Sequence, residues 1–317
     1  MKLKIFTVFI ATFTAMLLWV LIKVDPASSP LTPITAPEAF ERNSEKHIER
    51  PLTVLLSYAD GHPIFFKNQN ALNVSALNRG IDIIHTYRRH HMNKDFYNTY
   101  KGILTQKRGA GYWLWKPYFI LKTMEQYPDH TLIFYADSGV VFTKPIDKIL
   151  QELAAHDRIF VGQGKPVPLR QHLKKEAQIA LNIDKNEGIL NAQNLWAFFI
   201  GFRNTPENRA FVKNWLDLCQ QGALLTDMPF DTSQQDKNFE FHQHDQSLLS
   251  VIAAQDPEKS VIIKKNELRN VYGITNFHRH PEEEKKSPLL LITGMPGWLS
   301  DLLFNNYLVS GLRRLLL

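Results

Sequence analysis

Asp137 closes the apolar run Thr131–Ala136 and is followed at once by Ser138-Gly139. A strand that ends in an acid and a tight polar turn sits where open α/β sheets expose their ligand site, and an acid there is costly unless it is used. Its carboxylate offers oxygen ligation to a divalent cation such as magnesium or manganese, which nucleotide sites hold with few protein ligands plus the diphosphate itself. The plainer alternative is an Asp side chain that caps the next turn.

A second concentration of chemistry lies in residues 107–117, KRGAGYWLWKP, just ahead of the helix that feeds the Asp137 strand. Gly109 and Gly111 permit close approach of backbone to a ligand, Arg108 and Lys116 can neutralise phosphate, and a helix N-terminus adds partial positive charge. Aromatic faces stack on bases or sugar rings, although at least one of Trp113 and Trp115 is expected to be a core anchor. Further on, His242-Gln243-His244-Asp245-Gln246-Ser247 precedes an apolar helix, whose cap Asp245 or Ser247 can be. In Asn276-Phe277-His278-Arg279-His280, neutral imidazoles suit a metal and Arg279 suits a diphosphate.

These residues need a frame. Leu52–Tyr58 is a short, almost continuous apolar run, as a strand covered on both faces should be. Strands are expected at Ile81–Tyr87, Thr131–Ala136, Arg158–Gly162, Trp196–Phe202 and Ser260–Lys264. Helices are expected around Lys67–Leu77 and at Pro117–Tyr127, Ile146–Ala155, Pro206–Gln220 and Asp245–Ala254. The alternation predicts an α/β fold, a mostly parallel sheet with helices on both faces and ligands beyond the carboxyl ends of the strands.

The composition, 44% hydrophobic and 21% charged over 317 residues, excludes disorder as the main state. The formal charge of +6 falls to +3 once the three lysines of residues 1–24 are set aside, and no basic stripe runs along the chain, so nucleic acid is not an expected partner. Cys219 is the single cysteine, which excludes an intrachain disulfide and a zinc site of several thiolates.

The uncharged run Ile5–Ile22 follows Lys2 and Lys4 and is long enough to span a bilayer, against the rival reading of a cleaved signal peptide. The expected topology is a single transmembrane helix with its N-terminus in the cytoplasm (type II). Four prolines between Pro26 and Pro37 predict an extended spacer. The expected organisation is a tail and anchor over 1–24, a Pro-rich stem over 25–50 and a catalytic domain over 51–280. A solvated charged loop and an amphipathic C-terminal helix, docked on the domain, fill 281–317. The Asn73-Val74-Ser75 sequon is read as chance.

In this order, the segments 108–117, DSG at 137–139, 196–215, HDQS at 244–247 and NFHRH at 276–280 resemble nucleotide-sugar-dependent glycosyltransferases of the GT-A fold. Within that superfamily the block Gly-Tyr-Trp-x-Trp-Lys-Pro looks like that of bacterial-type polysaccharide glycosyltransferases. The resemblance implies transfer of a glycosyl group from a nucleoside diphosphate to an acceptor hydroxyl of a glycan. It also implies a divalent metal, manganese or magnesium, at an Asp-x-Asp strand end. Asp137 matches the first acid of that pattern and Gly139 replaces the second, so metal dependence turns on His278 or His280 as a substitute. Ser57 and Tyr58 match the place that holds the nucleoside base. The residues from Trp196 resemble the acceptor pocket, and Asp245 matches an acid near the donor sugar or acceptor hydroxyl, a base if the enzyme inverts.

Two other function classes accommodate these residues. One is a membrane-tethered module that binds carbohydrate or nucleotide without turnover, having lost its second acid. The other is a metal phosphohydrolase built on His242, His244, Asp245 and His278, for which too few acids and histidines stand at strand ends.

Overall fold

The computed structural model describes residues 33–35, 50–77 and 79–276. The apolar run at the N-terminus, most of the Pro-rich stretch and the charged loop and tail lie outside the described residues. Among the described residues no helix is long and apolar enough to cross a membrane.

Seven strands form one sheet. They are β1 (Ile34–Thr35), β2 (Thr53–Tyr58), β3 (Ile83–Tyr87), β4 (Leu132–Ala136), β6 (Arg158–Gly162), β7 (Leu195–Arg203) and β8 (Ser260–Lys264). Their order across the sheet is β1-β3-β2-β4-β7-β6-β8, and β5 (Val140–Phe142) pairs with β9 (Ile274–Asn276) in a separate ribbon. The pairs β2/β3, β2/β4 and β6/β8 are parallel, and β7 runs against both its neighbours, β4 and β6. With β1 also reversed at the edge, five of the seven strands share one direction, which is the mostly parallel α/β sheet the sequence predicts.

Side-chain alternation along the strands builds two cores. Val54, Leu56, Ile133 and Tyr135 point to one face, and Leu55, Leu132 and Phe134 to the other, every one of them at most 3% exposed. Five helices of nine or more residues occur among the described residues: α1 (Pro63–Ala76), α2 (Trp115–Gln126), α3 (Asp147–Ala155), α4 (Pro206–Cys219) and α5 (Asp245–Gln255). The first core takes its apolar side chains from α2, α4 and α5, the second from α1 and α3.

Two helix starts differ from the sequence reading. In α1, Pro63 takes the first position and the His62 ring accepts the Ile64 N–H at 3.2 Å, so the helix begins before Lys67. In α2 the start is Trp115, not Pro117. A proline in the first turn lacks only an N–H that has no intrahelical partner there, and this frees Trp115 and Lys116 to sit inside the helix. The ribbon of β5 and β9 has no counterpart in the sequence reading, since three-residue strands carry too little pattern to register.

Candidate active site

Parallel pairing brings the carboxyl ends of three strands together. Tyr58 stands opposite Tyr87, and Leu56 opposite Tyr135, so the residues after β2, β3 and β4 surround one opening. A cleft of about 660 Å³ occupies it, a volume in the range of small-molecule sites. Among its lining residues are Tyr58, Asp60, Arg89, Trp113, Trp115 and Asp137.

Tyr135 and Asp137 are two residues apart and share a side of the strand. The Tyr135 hydroxyl donates to Asp137 Oδ1, and the Asp137 N–H donates to the Phe198 carbonyl of β7 at 2.8 Å. Burial, and then the Asp137 carboxylate, push the Tyr135 hydroxyl well above its ordinary pKa, which keeps it a donor. The carboxylate of Asp137 is 20% exposed, while its backbone carbonyl accepts the Val140 N–H to close the Ser138-Gly139 turn.

Beneath Asp137 lies Lys116, from the first turn of α2. Its Nζ is 3.7 Å from Asp137 Oδ1, 3.1 Å from Asp245 Oδ2 and 3.0 Å from the Ala197 carbonyl oxygen, which it bonds. Burial disfavours the ammonium, but Asp245 and then Asp137 outweigh it, so Lys116 titrates above the ordinary lysine value. Asp245, 3% exposed at the first position of α5, is pushed up to about 6 by burial, with Lys116 pulling the other way.

The block at 108–117 folds in an unexpected way. From Gly109 to Trp113 all five residues have positive φ, between +51° and +104°, which makes a left-handed turn. Alanine, tyrosine and tryptophan each pay of order 1–2 kcal/mol in that region. The glycines have steric reasons to be there: a Cβ on Gly109 would meet the Trp113 ring at 2.4 Å, and one on Gly111 would meet the Leu104 Cα at 2.7 Å. The turn aims Trp113 onto the His244 ring at 5.6 Å, and the Trp115 indole N–H donates to the Gly109 carbonyl at 2.9 Å. Trp115 also stacks on Tyr58 at 4.1 Å and forms the floor of the cleft.

His242 and His244 do not form a metal centre. His242 Nε2 and His244 Nδ1 each lie 2.8 Å from a backbone carbonyl, those of Leu224 and Leu225, and so carry the proton. The other nitrogen of His244, Nε2, accepts from Arg108 Nε at 2.7 Å. Among the described residues no group of three or more His, Cys, Asp and Glu is placed to hold a metal.

Burial lowers three histidines from 6.5: His85 to about 4, His242 to about 3 and His244 to about 4. Their unfolded forms take up protons below pH 6.5 that the folded forms refuse, so acidification from there favours unfolding. Asp245, raised from 3.8 to about 6, opposes this over part of the same window. With three groups against one, the melting temperature is expected to fall steadily between pH 6.5 and about 4. Calorimetry across that range checks it, and a flat or rising curve would contradict the burial of these rings.

Of the residues singled out in the sequence, Tyr58, Gly109, Trp115, Asp137 and Ser138 line the cleft. Ser57 lies under it, fully buried and accepting from Gln69 Nε2 at 2.9 Å. Gly139 completes the turn, Arg108 faces His244, Gly111 packs on Leu104, and Lys116 and Asp245 sit together below the floor. His278, Arg279 and His280 lie outside the described residues. The strand that precedes them in sequence, β9, ends at Asn276 opposite Val140, two positions past Ser138.

The sequence reading missed the opposite wall. Arg89 Nε donates to Asp60 Oδ2 at 2.7 Å, and the Tyr58 hydroxyl reaches the same oxygen at 3.1 Å. The signal was available, because Asp60-Gly61 follows β2 as Asp137 and its turn follow β4.

Residues 51–291 match the galactosyl transferase GMA12/MNN10 family. A search of curated proteins finds no significant match. Among solved structures the chain is similar to mouse xyloside xylosyltransferase 1 (9% identity, 68% of this chain and 85% of that one, TM-score 0.38). It is similar to a glycosyltransferase involved in glycosylating the major capsid of PBCV-1 (9%, 74% and 98%, 0.41). It also resembles a galactosyltransferase, LgtC, solved in complex with donor and acceptor sugar analogs (9%, 77% and 98%, 0.37).

Proposed function

The chain belongs to the galactosyl transferase GMA12/MNN10 family, and from that premise we propose that the cleft over β2, β3 and β4 receives its nucleotide sugar with Asp137 at the diphosphate. The protein is a glycosyltransferase, moving a sugar from a nucleoside-diphosphate donor to a glycan acceptor. The observation that carries the assignment is Asp137 itself, a partly exposed carboxylate at a strand end on the cleft wall, fixed through one oxygen by Tyr135.

Asp137 Oδ2 has no hydrogen bond to a described residue, so one hard oxygen faces the ligand space. That fits magnesium or manganese held by few protein atoms, with the diphosphate completing the shell. Such a cation, when bound, supplies positive charge to the departing diphosphate. His278 and His280 are the proposed further ligands, supported by the pairing of Asn276 with Val140, and Arg279 is a proposed diphosphate partner. Lys107 on the cleft wall adds a cation from this chain, and Arg89 another that Asp60 holds in place. Tyr58 and Trp115, stacked at the floor, are the proposed surface for the nucleoside. Asp245 is buried against Lys116 below the cleft floor, so its proposed part is to hold Lys116, not to take the proton of an acceptor hydroxyl.

The domain is proposed to extend over 51–280 and to be carried on a stem and a single N-terminal span, with the catalytic part on the far side of the membrane from the tail. The support is the uncharged run Ile5–Ile22 between lysines. Mass spectrometry of the membrane-bound chain checks it, with the intact N-terminus expected and a soluble chain starting near Ala27 as the contrary result.

The test of the activity is the full chain, purified in detergent and screened against nucleotide sugars with and without manganese for release of nucleoside diphosphate. Release dependent on acceptor is expected. Binding of donors with no turnover in any combination would favour the non-catalytic module, consistent with the loss of an acid at Gly139.

A further inference from the structure

We propose that Lys116 is a positioning residue, tying the end of β4 to the start of α5 and so setting the direction in which Asp137 presents Oδ2 to the donor. The inference rests on the reading of Asp137 given above. A lysine beside a glycine-rich turn would ordinarily be assigned to phosphate, and the geometry argues against that here.

An ammonium has three protons. That of Lys116 donates to the Ala197 carbonyl at 3.0 Å on β7 and is ion-paired on two other elements, with Asp245 Oδ2 at 3.1 Å on α5 and with Asp137 Oδ1 at 3.7 Å after β4. The side chain is 4% exposed and does not line the cleft. Buried among these three elements, the ammonium is shut off from a diphosphate in the cleft. The charge of Lys116 is also shared between two carboxylates, so moving it toward a ligand would strand a buried acid.

The consequence falls on Asp137. Its Oδ1 faces both the Tyr135 hydroxyl and the Lys116 ammonium, one from its own strand and one from α2. One hydrogen bond and the pull of a buried ammonium on the same oxygen hold the carboxylate torsion and leave Oδ2 as the oxygen that meets ligand. Without Lys116 the carboxylate keeps only Tyr135, and it can rotate about that single bond. Lys116 therefore touches no reacting atom but governs the aim of the group that does.

Lys116→Met alone leaves Asp245 buried and uncompensated, and it can fail to fold. The test therefore uses Lys116→Met/Asp245→Asn, which removes the buried charge together with its partner, beside Asp245→Asn and Asp137→Asn as comparisons, all in the full chain. Uridine and guanosine diphosphates are titrated by calorimetry, and kcat and donor KM are measured with the donor found in the screen. The double variant is expected to fold and to bind nucleoside diphosphate within about threefold of the parent. Its kcat is expected to fall about a hundredfold, with donor KM nearly unchanged. Asp245→Asn, which keeps Lys116 against Asp137, is expected to retain at least about ten times more kcat than the double variant.

Equal kcat in those two variants would overturn the proposal. So would a tenfold or greater loss of nucleoside diphosphate affinity in the double variant, which would put Lys116 on the ligand. An active Asp137→Asn would instead sink the site assignment, whereas an inactive Asp137→Asn beside a fully active double variant would sink only the role of Lys116.

Discussion

Asp137→Asn is expected to lower the transfer rate by roughly a hundredfold to a thousandfold while leaving the melting temperature within a few degrees of the parent. The substitution is nearly isosteric, and asparagine caps turns as well as aspartate does, so a residue serving only the Ser138-Gly139 turn would be replaced without loss. What asparagine cannot supply is the negative oxygen. Its amide still accepts from the Tyr135 hydroxyl, which preserves the local hydrogen bond. The change also removes one of the two carboxylates beside Lys116 but leaves Asp245 at 3.1 Å, so the buried ammonium stays paired. Rate and stability therefore separate, and excess manganese is not expected to restore activity. Near-parental turnover in a folded Asp137→Asn protein would place the chemistry elsewhere.

The largest effect on stability is expected at Gly111→Ala. The new Cβ would lie 2.7 Å from the Leu104 Cα and 3.1 Å from its carbonyl oxygen, both backbone atoms that cannot rotate away. The φ of +104° adds strain of its own. Overpacking of about 1–3 kcal/mol and backbone strain of about 1–2 kcal/mol together suggest a loss of roughly 3–4 kcal/mol. For a domain of this size that is on the order of 10 °C in melting temperature. Gly102→Ala is the matched control, because nothing lies within 4 Å of its Cβ position and it sits in a helical turn. There the change is expected to be neutral or slightly stabilising. A Gly111→Ala protein that melts like Gly102→Ala would show that the left-handed turn is not required.

The strands and long helices were legible because they are deeply patterned. LIFYA before Asp137 and LTVLLSY before Ala59 are too apolar and too short to be anything but covered strands, and their carboxyl ends are where a ligand was expected. Asp137, Tyr58 and Trp115 follow from that frame. Lys116 was read as a phosphate contact from its adjacency to glycines, whereas a start of α2 two residues before Pro117 turns the side chain under the sheet edge, where it is buried. The two glycines were read as letting backbone approach a ligand; both stand at positive φ in a left-handed turn, and Gly109 lines the cleft. Asp60-Gly61 after β2 was a local sign, but its pairing with Arg89 depends on β2 and β3 being neighbours, which is a tertiary fact.

The pairing of β5 with β9 has a temporal meaning as well as a spatial one. Val140 and Asn276 meet across most of the folded sequence, so the turn that carries Asp137 gains its neighbouring strand only when the last described residues have been made. Contacts of such long sequence separation form late and carry a large loop-closure cost. During synthesis the strands around the cleft can assemble first, while the ribbon beside the acid is still open. A growing chain therefore completes the surroundings of the Asp137 turn only after residue 276 has been made, and a product that stops before β9 lacks the strand that flanks its own Asp137 turn.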